Sequence, residues 1–275
     1  MSARAGTLRG VNNHSPAELH RFLEVAVSAA KAAGAIQIVN VGKDLGISSK
    51  SSDSDLVTRV DKECEALIRD AILTAFPDHA ILGEEGGNIG QGQHQWIVDP
   101  LDGTVNYAHG FPFFCVSIGL EIRGERVVGV VFDPNRNELF HATIGGGAFL
   151  NGAAISVSSI VELGGRAMLA TGFPYDTAAA LDALEVFKHF LALGLPVRRP
   201  GAAAIDLCYV ACGRIDGFFE YKLQAWDCAA AILIIEEAGG RVTNFSNGAY
   251  NYADKKIVAT NGHLHAQVLE VIGRA

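Results

Sequence analysis

The sequence predicts a mixed α/β fold with an N-terminal α+β lobe and a C-terminal α/β lobe. Apolar residues recur at helical spacing near the N-terminus, a run of short strands joined by tight turns follows, and strands then alternate with helices. The halves share no internal repeat, and no low-complexity linker separates them. We therefore expect one compact unit with lobes at residues 16–156 and 157–275, preceded by a disordered arm at residues 1–15.

Two helices, a polar loop and an antiparallel meander are predicted for the first half. Ser15 and Pro16 are typical of the N-cap and first residue of a helix, whose apolar spacing continues to about Val41. The serine-rich loop that follows contains few apolar anchors and should be mobile. The expected elements are the loop at 43–55, a helix at 55–76, a strand at 80–82, a strand ending at 99, and strands at 114–123, 126–133, 138–143 and 148–150.

Alternating strands and helices are predicted for the second half. Its clearest helix begins at Trp226 and Asp227, where Asp227 is expected to be the N-cap, and ends at the glycine pair 239–240. The other expected elements are strands at 167–171, 197–199, 215–220 and 257–260, and helices at 177–193, at 202–212 and from 264 onward.

Composition indicates a compact cytoplasmic protein that does not bind nucleic acid. The formal net charge is −8, and basic clusters such as Arg198–Arg199 are too short for a nucleic-acid surface. The N-terminus lacks a secretory signal, and polar residues interrupt the most apolar helical stretch, so no membrane span is predicted. Five scattered cysteines fit buried reduced thiols better than disulfides or a metal site. A negatively charged protein that binds phosphate must neutralise it locally, which favours a metal ion.

The stretch Trp-Ile-Val-Asp-Pro-Leu-Asp-Gly-Thr at residues 96–104 carries the strongest chemical signal. Apolar residues deliver Asp99 at a predicted strand end, where Pro100 should stop the ladder. Asp99 and Asp102 lie close in sequence, and one pKa of such a pair rises sharply unless a cation lies between them. Two carboxylates with the Leu101 carbonyl, and no His or Cys alongside, favour Mg²⁺ over Zn²⁺.

Gly103 and Thr104 complete this stretch and have two interpretations. If a helical turn begins there, its backbone N–H groups and the Thr104 hydroxyl point at whatever the metal holds, and a phosphate binds well at a helix N-terminus. The alternative is an Asp-Gly turn that closes a strand, with Thr104 and Asn106 as local caps. Both interpretations remain open from these residues alone.

Other polar residues are equally ambiguous taken one at a time. Glu84, in a Gly-Glu-Glu sequence at a strand end, is either loop filler or a metal ligand, if its strand lies beside the one ending at Asp99. Asp61 lies near the apolar stripe of the second helix, where an edge charge is the more common role. Lys50 is either a solvated loop charge or part of a lid. Asp227 is able to cap its helix and face the site at the same time.

Three motifs together resemble one known family. They are WIVDPLDGTVNYAHGFP, the Gly-Glu-Glu at 83–85 and WDCAAAILIIEEAGG at 226–240, and they closely resemble the inositol monophosphatase family of Mg²⁺-dependent, lithium-sensitive phosphatases. The resemblance extends from about Phe22 to Ile272. It implies the layered αβαβα sandwich of the sugar phosphatases, with the site between two lobes, and a homodimer.

The resemblance also implies a role for each matching residue. Glu84 would hold and orient a metal-activated water for direct in-line attack on phosphorus, assisted by Thr104 and Asp61 as a hydrogen-bonded pair. Gly103 and Thr104 match the phosphate-binding turn, and Lys50 matches the lysine of a mobile loop. The implied ligands of two or three Mg²⁺ ions are Glu84, Asp99, the Leu101 carbonyl, Asp102 and Asp227.

Contacts to the organic half of the substrate follow less directly from the resemblance. Glu220, seven residues before Asp227, matches an acid that binds a sugar or inositol hydroxyl, and Asp227 is itself an implied substrate contact. Gly201, Ala202 and Ala203 match a turn that often reads Gly-Thr-Ala or Gly-Ser-Ala, so Ala202 lacks a hydroxyl that relatives use.

The expected function is hydrolysis of a small polyol phosphate, with inositol 1-phosphate favoured, to the alcohol and phosphate. The same chemistry on histidinol phosphate, fructose 1,6-bisphosphate or a 3′-phosphonucleotide is an alternative that would need different residues around 172–200 and 220–224. A regulatory binding protein is the non-enzyme alternative, since some bacterial members of the family also act on transcription complexes. The expected partners are a small-molecule phosphate ester and a second copy of the chain.

Overall fold

The computed structural model describes residues 14–49 and 56–274, and its helices and sheets stack in five layers, α/β/α/β/α. The helices are α1 (Pro16–Asn40), α2 (Arg59–Ala75), α3 (Thr104–Ala108), α4 (Thr177–Ala192), α5 (Ala203–Ala211), α6 (Ala225–Glu237) and α7 (His265–Ile272). The strands of the first half are β1 (Ser48–Ser49), β2 (Leu56–Val57), β3 (Ala80–Gly83), β4 (Gly87–Ile89), β5 (His94–Asp102), β6 (Cys115–Ile122), β7 (Glu125–Asp133), β8 (Glu138–Thr143), β9 (Gly147–Leu150) and β10 (Ala153–Ala154). Those of the second half are β11 (Leu169–Thr171), β12 (Val197–Arg198), β13 (Gly217–Tyr221), β14 (Arg241–Asn244) and β15 (Lys256–Thr260).

The larger sheet runs in the order β10-β9-β8-β7-β6-β5-β3-β4 and is antiparallel except between β3 and β5. Because these two strands are parallel, their carboxyl ends meet at the same edge, which brings Glu84 beside Asp99. Helices α1 and α2 cover the outer face of this sheet, and the core beneath them includes Phe22, Ile68 and Trp96. These are the first two layers of the predicted sandwich.

Helices α5 and α6 form the middle layer, between the two sheets. Their approach to the larger sheet is close at one paired position, because Gly119 on β6 lies directly opposite Gly129 on β7. A Cβ added to Gly119 would lie 3.2 Å from the Cβ of Ala229, and one added to Gly129 would overlap the carbonyl oxygen of Ala230. The two glycines therefore let α6 rest on the sheet backbone, which fixes the position of its N-terminus.

The smaller sheet runs in the order β12-β11-β13-β15-β14. Strands β12, β11 and β13 are parallel, and β15 pairs antiparallel with both β13 and β14. Helices α4 and α7 cover its outer face through a core that includes Phe190, Phe219 and Val268. The two sheets fall on either side of the predicted boundary at 156/157, while the division into lobes stays a prediction.

Helix α1 is long and apolar enough to span a membrane by length and composition alone, although the sequence was expected to contain no such segment. Its alanine-rich stripe, with Ala26, Ala30 and Ala33 fully buried, packs instead within the core shared with α2 and the larger sheet. This is the packing of a core helix. Cytoplasmic location stays a prediction.

Two predicted boundaries are wrong, and each has a local cause. The second helix begins at Arg59 rather than Asp55, because Thr58 and Asp61 form a capping box. In it, the side chain of each residue accepts a hydrogen bond from the backbone N–H of the other. Strand β5 continues past Pro100 to Asp102, with a register irregularity between Asp99 and Asp102 that accommodates the proline. Residues 50–55 of the predicted loop, including Lys50, and residues 1–13 of the predicted arm lie outside the described residues.

Replacing Gly129 with alanine should destabilise the fold, because the added methyl group would overlap Ala230 in α6. We expect Gly129→Ala to lower the free energy of unfolding by about 1–3 kcal/mol, measured by urea denaturation. Gly164→Ala is a matched control, because an added Cβ there has open space around it. Equal unfolding midpoints for the two variants would contradict the close approach of α6 to the sheet.

Candidate active site

A cavity of about 480 Å³ opens where both sheets and the middle layer meet. Its walls come from the end of β5 with α3, the N-termini of α5 and α6, and the ends of β11 and β13. Most of the residues singled out in the sequence line it: Glu84, Asp99, Leu101, Asp102, Gly103, Thr104, Gly201, Ala202, Ala203, Glu220 and Asp227. The structure therefore brings together residues from all three sequence motifs, at 83–85, 96–112 and 226–240.

Asp99 and Asp102 are fixed at the end of β5 by backbone amides. Oδ1 of Asp99 accepts a hydrogen bond from Leu101 N at 3.0 Å, and Asp99 is 2% exposed. Oδ2 of Asp102 accepts from Ala204 N at 2.7 Å, in the first turn of α5. Asp102 thus ties the larger sheet to the middle layer. Behind this segment, Gln37 of α1 donates from Nε2 to Pro100 O at 2.8 Å, which holds the irregular end of β5 in place.

Gly103 and Thr104 form a helix start, as the first of the two interpretations proposed. Gly103 has a left-handed backbone, with φ of 91°, and is the N-cap of α3. A Cβ there would lie 2.9 Å from Phe113 O and 3.2 Å from the Cβ of Ala202, so glycine is required for both conformation and space. Gly103, Thr104 and Val105, at the start of α3, all line the cavity.

The Thr104 hydroxyl links α3 to α2. Its Oγ1 lies 3.1 Å from Oδ1 of Asp61 and 3.0 Å from Leu101 O. Asp61 is fully buried and accepts at Oδ2 from Thr58 N at 2.9 Å and from Thr58 Oγ1 at 2.5 Å. Burial raises the pKa of Asp61, although the Thr58 hydrogen bonds oppose the shift. Asp61 is therefore a buried cap residue that also contacts the motif, not an edge charge.

Glu84 and Asp227 approach Asp99 from opposite sides. Glu84 N donates to Val98 O at 3.2 Å, and the Glu84 side chain lies within hydrogen-bond reach of Asp99. Asp227 was predicted to be the N-cap of α6, and this is wrong: Gln224 is the N-cap, and Asp227 is the third residue of the helix. The backbone N–H of Gln224 donates to Oδ2 of Asp227 at 2.7 Å. The start of α6 is anchored by Ser117, opposite Asp99 in the sheet, whose hydroxyl donates to Trp226 O at 3.2 Å.

Charge repulsion in this cavity is strong. Burial raises the pKa of Asp99 well above its usual range, and Glu84, Asp102 and Asp227 raise it further. Burial and Glu84 likewise raise the pKa of Asp102 to about 7, although an amide hydrogen bond from Ala204 opposes the shift, and the pKa of Asp227 rises for similar reasons. Within the described residues, no three His, Cys, Asp or Glu side chains form a ready-made coordination group. The oxygen-only donor set nevertheless fits a hard divalent cation, which would relieve the repulsion.

The opposite wall holds residues suited to a polar organic group. Burial raises the pKa of Glu220 to about 8, with Asp102 adding to the shift and Arg199 opposing it. Gly172 faces the Glu220 carboxylate so closely that a side chain there would overlap it. Ala202 is 1% exposed and packs against Gly103, so its missing hydroxyl leaves an apolar contact with the start of α3.

Two polar residues that line the cavity, Asp206 and Asn106, were not predicted to belong to the site. Asp206 in α5 is 2% exposed, and within the described part of the chain its Oδ1 has no hydrogen-bond partner. Asn106 was considered only as a local cap, but its Nδ2 lies 2.8 Å from Phe113 O, 3.0 Å from Pro200 O and 3.2 Å from Gly201 O. It holds the turn at 200–201 against α3. An acid in the first turn of an apolar helix was the only available signal for Asp206.

Comparison with known proteins gives a consistent result. The family model described as "Inositol monophosphatase family" matches residues 18–274. The chain is 44% identical over 261 residues to the inositol-1-monophosphatase of Synechocystis sp., covering 94% of this chain and 91% of that protein. It is also 44% identical over 247 residues to the Nus factor SuhB of Escherichia coli, covering 88% and 92%. A solved inositol monophosphatase from Anabaena (Nostoc) sp. superposes with a TM-score of 0.85 at 41% identity, covering 94% and 97%.

The raised carboxylate pKa values predict how stability depends on pH. A carboxyl group with a raised pKa keeps a proton that the unfolded chain has already released, so its stabilising contribution is lost as pH rises through the folded pKa. With Asp102 at about 7 and Glu220 at about 8, we expect the free energy of unfolding of chelator-treated protein to fall between pH of about 7 and about 8. The half-buried His79 and the buried His265, with pKa lowered to about 4, are neutral in this range.

The measurement is urea denaturation at several pH values in that interval. Glu220→Gln, which cannot ionise, should show a shallower decline than the parent protein. Stability that is constant or rising across the interval would contradict the burial of these carboxyl groups.

Proposed function

The chain belongs to the inositol monophosphatase family, and from this premise we propose that it hydrolyses a small polyol phosphate, with inositol 1-phosphate favoured. Family membership makes it a phosphoric monoester hydrolase, and the family acts on small phosphate esters and generally depends on Mg²⁺. The observation that carries the specific proposal is the half-buried carboxyl group of Glu220, which lines the same cavity as Asp99 and Asp102. It is suited to bind hydroxyl groups beside a phosphate.

Glu84, Asp99, the Leu101 carbonyl, Asp102 and Asp227 are the proposed metal ligands. All five residues line the cavity, and repulsion among the carboxylates supports a cation there. Mg²⁺ bound among them would neutralise phosphate oxygens and lower the pKa of a water molecule. The resemblance favours two or three ions.

The chain's own groups supply binding and proton transfer in this proposal. The first-turn N–H groups of α3, with the Thr104 hydroxyl, bind phosphate oxygens. Glu84 orients a water molecule whose oxygen bonds to phosphorus as the ester P–O bond breaks in line with it, and the departing ester oxygen takes a proton from a second water molecule to form the alcohol. The proton that this water loses passes to Asp61 through the Thr104 hydroxyl, which is supported by their 3.1 Å contact and by the raised pKa of Asp61.

The organic half of the substrate would contact the wall opposite the aspartates. Glu220 accepts hydrogen bonds from hydroxyl groups, and the turn Gly201-Ala202-Ala203 offers backbone groups only. Asp227 borders both halves of the cavity and is proposed to contact substrate as well as metal. Lys50, proposed as part of a lid, lies outside the described residues.

A regulatory binding role is a second candidate. It is supported by the 44% identity to a relative named Nus factor SuhB. The complete set of proposed ligands argues against regulation as the sole role. A homodimer is a further proposal that the family resemblance favours, and sedimentation of the purified protein measures it directly.

Purified protein should release phosphate from inositol 1-phosphate in the presence of Mg²⁺, and added Li⁺ should inhibit the release. Histidinol phosphate, fructose 1,6-bisphosphate and a 3′-phosphonucleotide belong in the same panel, and the ester with the highest kcat/KM identifies the substrate class. Asp99→Asn should lower kcat at least roughly 100-fold with the fold intact, because it removes negative charge from the metal site and leaves the side-chain volume unchanged.

Asp70→Asn is the matched control for that variant, because Asp70 is exposed on α2. Circular dichroism checks that both variants fold. Mg²⁺-dependent activity retained by a folded Asp99→Asn protein would refute the ligand assignment, and failure of the whole panel would favour the regulatory role.

Glu220→Ala should raise KM for inositol 1-phosphate roughly 10- to 100-fold with a smaller change in kcat, because it removes a hydrogen-bond partner of the substrate and leaves a substrate hydroxyl unpaired. Phenyl phosphate, which has no hydroxyl groups on its organic half, is the control substrate, and its KM should stay unchanged. An unchanged KM for inositol 1-phosphate would indicate a different substrate.

A further inference from the structure

Glu65 lies within α2, and its carboxylate reaches the turn that carries Glu84. The residue is 6% exposed, and its Oε2 accepts a hydrogen bond from Glu85 N at 2.8 Å. Its neighbours on the buried face of α2 include Cys64 and Ile68. A carboxylate on such an apolar face costs free energy of desolvation, so it requires a compensating interaction. The turn at 83–86 provides that interaction.

The glycines on either side of Glu84 and Glu85 make room for the Glu65 carboxylate. A Cβ added to Gly83 would lie 2.5 Å from Oε2 of Glu65, and one added to Gly86 would lie 2.5 Å from Oε1. Neither glycine has a positive φ, unlike Gly87, so backbone conformation does not require them. They are needed because the carboxylate packs against the backbone of the turn with both of its oxygens.

Helix α2 holds the site at two successive positions on one face. Asp61, four residues before Glu65, contacts the Thr104 hydroxyl at 3.1 Å, while Glu65 binds the turn. On the opposite side of the turn, Glu84 N donates to Val98 O of β5 at 3.2 Å. The backbone of Glu84 and Glu85 is therefore fixed between a strand and a helix.

We infer that Glu65 is a positioning residue for Glu84: it fixes the turn at 83–86 from the α2 side and so sets where the Glu84 carboxylate enters the cavity. The inference rests on the proposed function, in which Glu84 is a Mg²⁺ ligand. Mg²⁺ requires near-octahedral geometry, so a small displacement of one carboxylate weakens its binding. Glu65 itself touches neither substrate nor metal in this role.

The test is Mg²⁺ binding alone, measured by isothermal titration calorimetry on chelator-treated protein. Glu65→Ala should weaken Mg²⁺ binding roughly 10- to 100-fold, the range found for partners that orient metal ligands. Glu65→Gln keeps the volume and one acceptor oxygen for Glu85 N, so it should restore binding to within about threefold of the parent. A purely structural role would lower thermal stability without this difference between alanine and glutamine.

Glu63→Ala is the matched control, because Glu63 is exposed on the same helix and pairs with Arg59 at the surface. If Glu65→Ala does not fold, Glu65→Asp decides instead: it keeps the charge but withdraws the acceptor by one methylene group, and weaker Mg²⁺ binding is expected. Parent-like Mg²⁺ affinity in the folded test variant would overturn the inference.

The same titrations separate this inference from the proposed function. Absence of Mg²⁺ binding by the parent protein, or parent-like binding by Asp99→Asn, would reject the proposed metal site and with it the role of Glu65. Binding that Asp99→Asn abolishes and Glu65→Ala leaves unchanged would reject the role of Glu65 alone.

Discussion

Repulsion among buried carboxylates is the constraint on which the rest of this structure depends. Asp99 and Asp227 reach one cavity from a strand and a helix, and burial with mutual repulsion raises the pKa of both. Separate elements can hold such groups together only if packing elsewhere fixes their positions. The cores on either side of the larger sheet provide that packing, and Gly119 and Gly129 let α6 approach the sheet closely enough to deliver Asp227.

Hydrogen bonds across the layers set the fine geometry of the same cavity. Asp102 accepts from Ala204 N, and Asn106 donates to Pro200 O, so the motif is tied to the middle layer at two points. Helix α2 makes two further contacts: Asp61 contacts the Thr104 hydroxyl, and Glu65 accepts a hydrogen bond from the turn at 83–86. The segment 99–106 and the turn at 83–86 are therefore held by hydrogen bonds from other elements of the fold.

Local signals were sufficient to predict much of this arrangement. The N-cap at Ser15 and the strands at 126–133 and 138–143 each depend on residues close in sequence, and the structure has them, while the helix start after Gly103 was one of two interpretations that local residues left open. The N-cap assigned to Asp227 and the strand end at Pro100 were wrong, because a capping box and a bulge shifted each boundary by a few residues. The contacts of Glu65 with Glu85 and of Asn106 with Pro200 could not be predicted, since the partners lie 20 and 94 residues away.

The organic side of the cavity illustrates why substrate choice is hardest to derive from sequence. Strands β11 and β13 are parallel, and Thr171 pairs with Phe219, so the next residues, Gly172 and Glu220, become neighbours through register alone. Only glycine at 172 leaves space for the Glu220 carboxyl group. The shape available to a substrate is thus decided by a pairing between residues 48 positions apart, together with Arg199 and Asp206 from a third segment. Substitutions at position 172 would reshape this wall without altering any residue of the metal or phosphate motif.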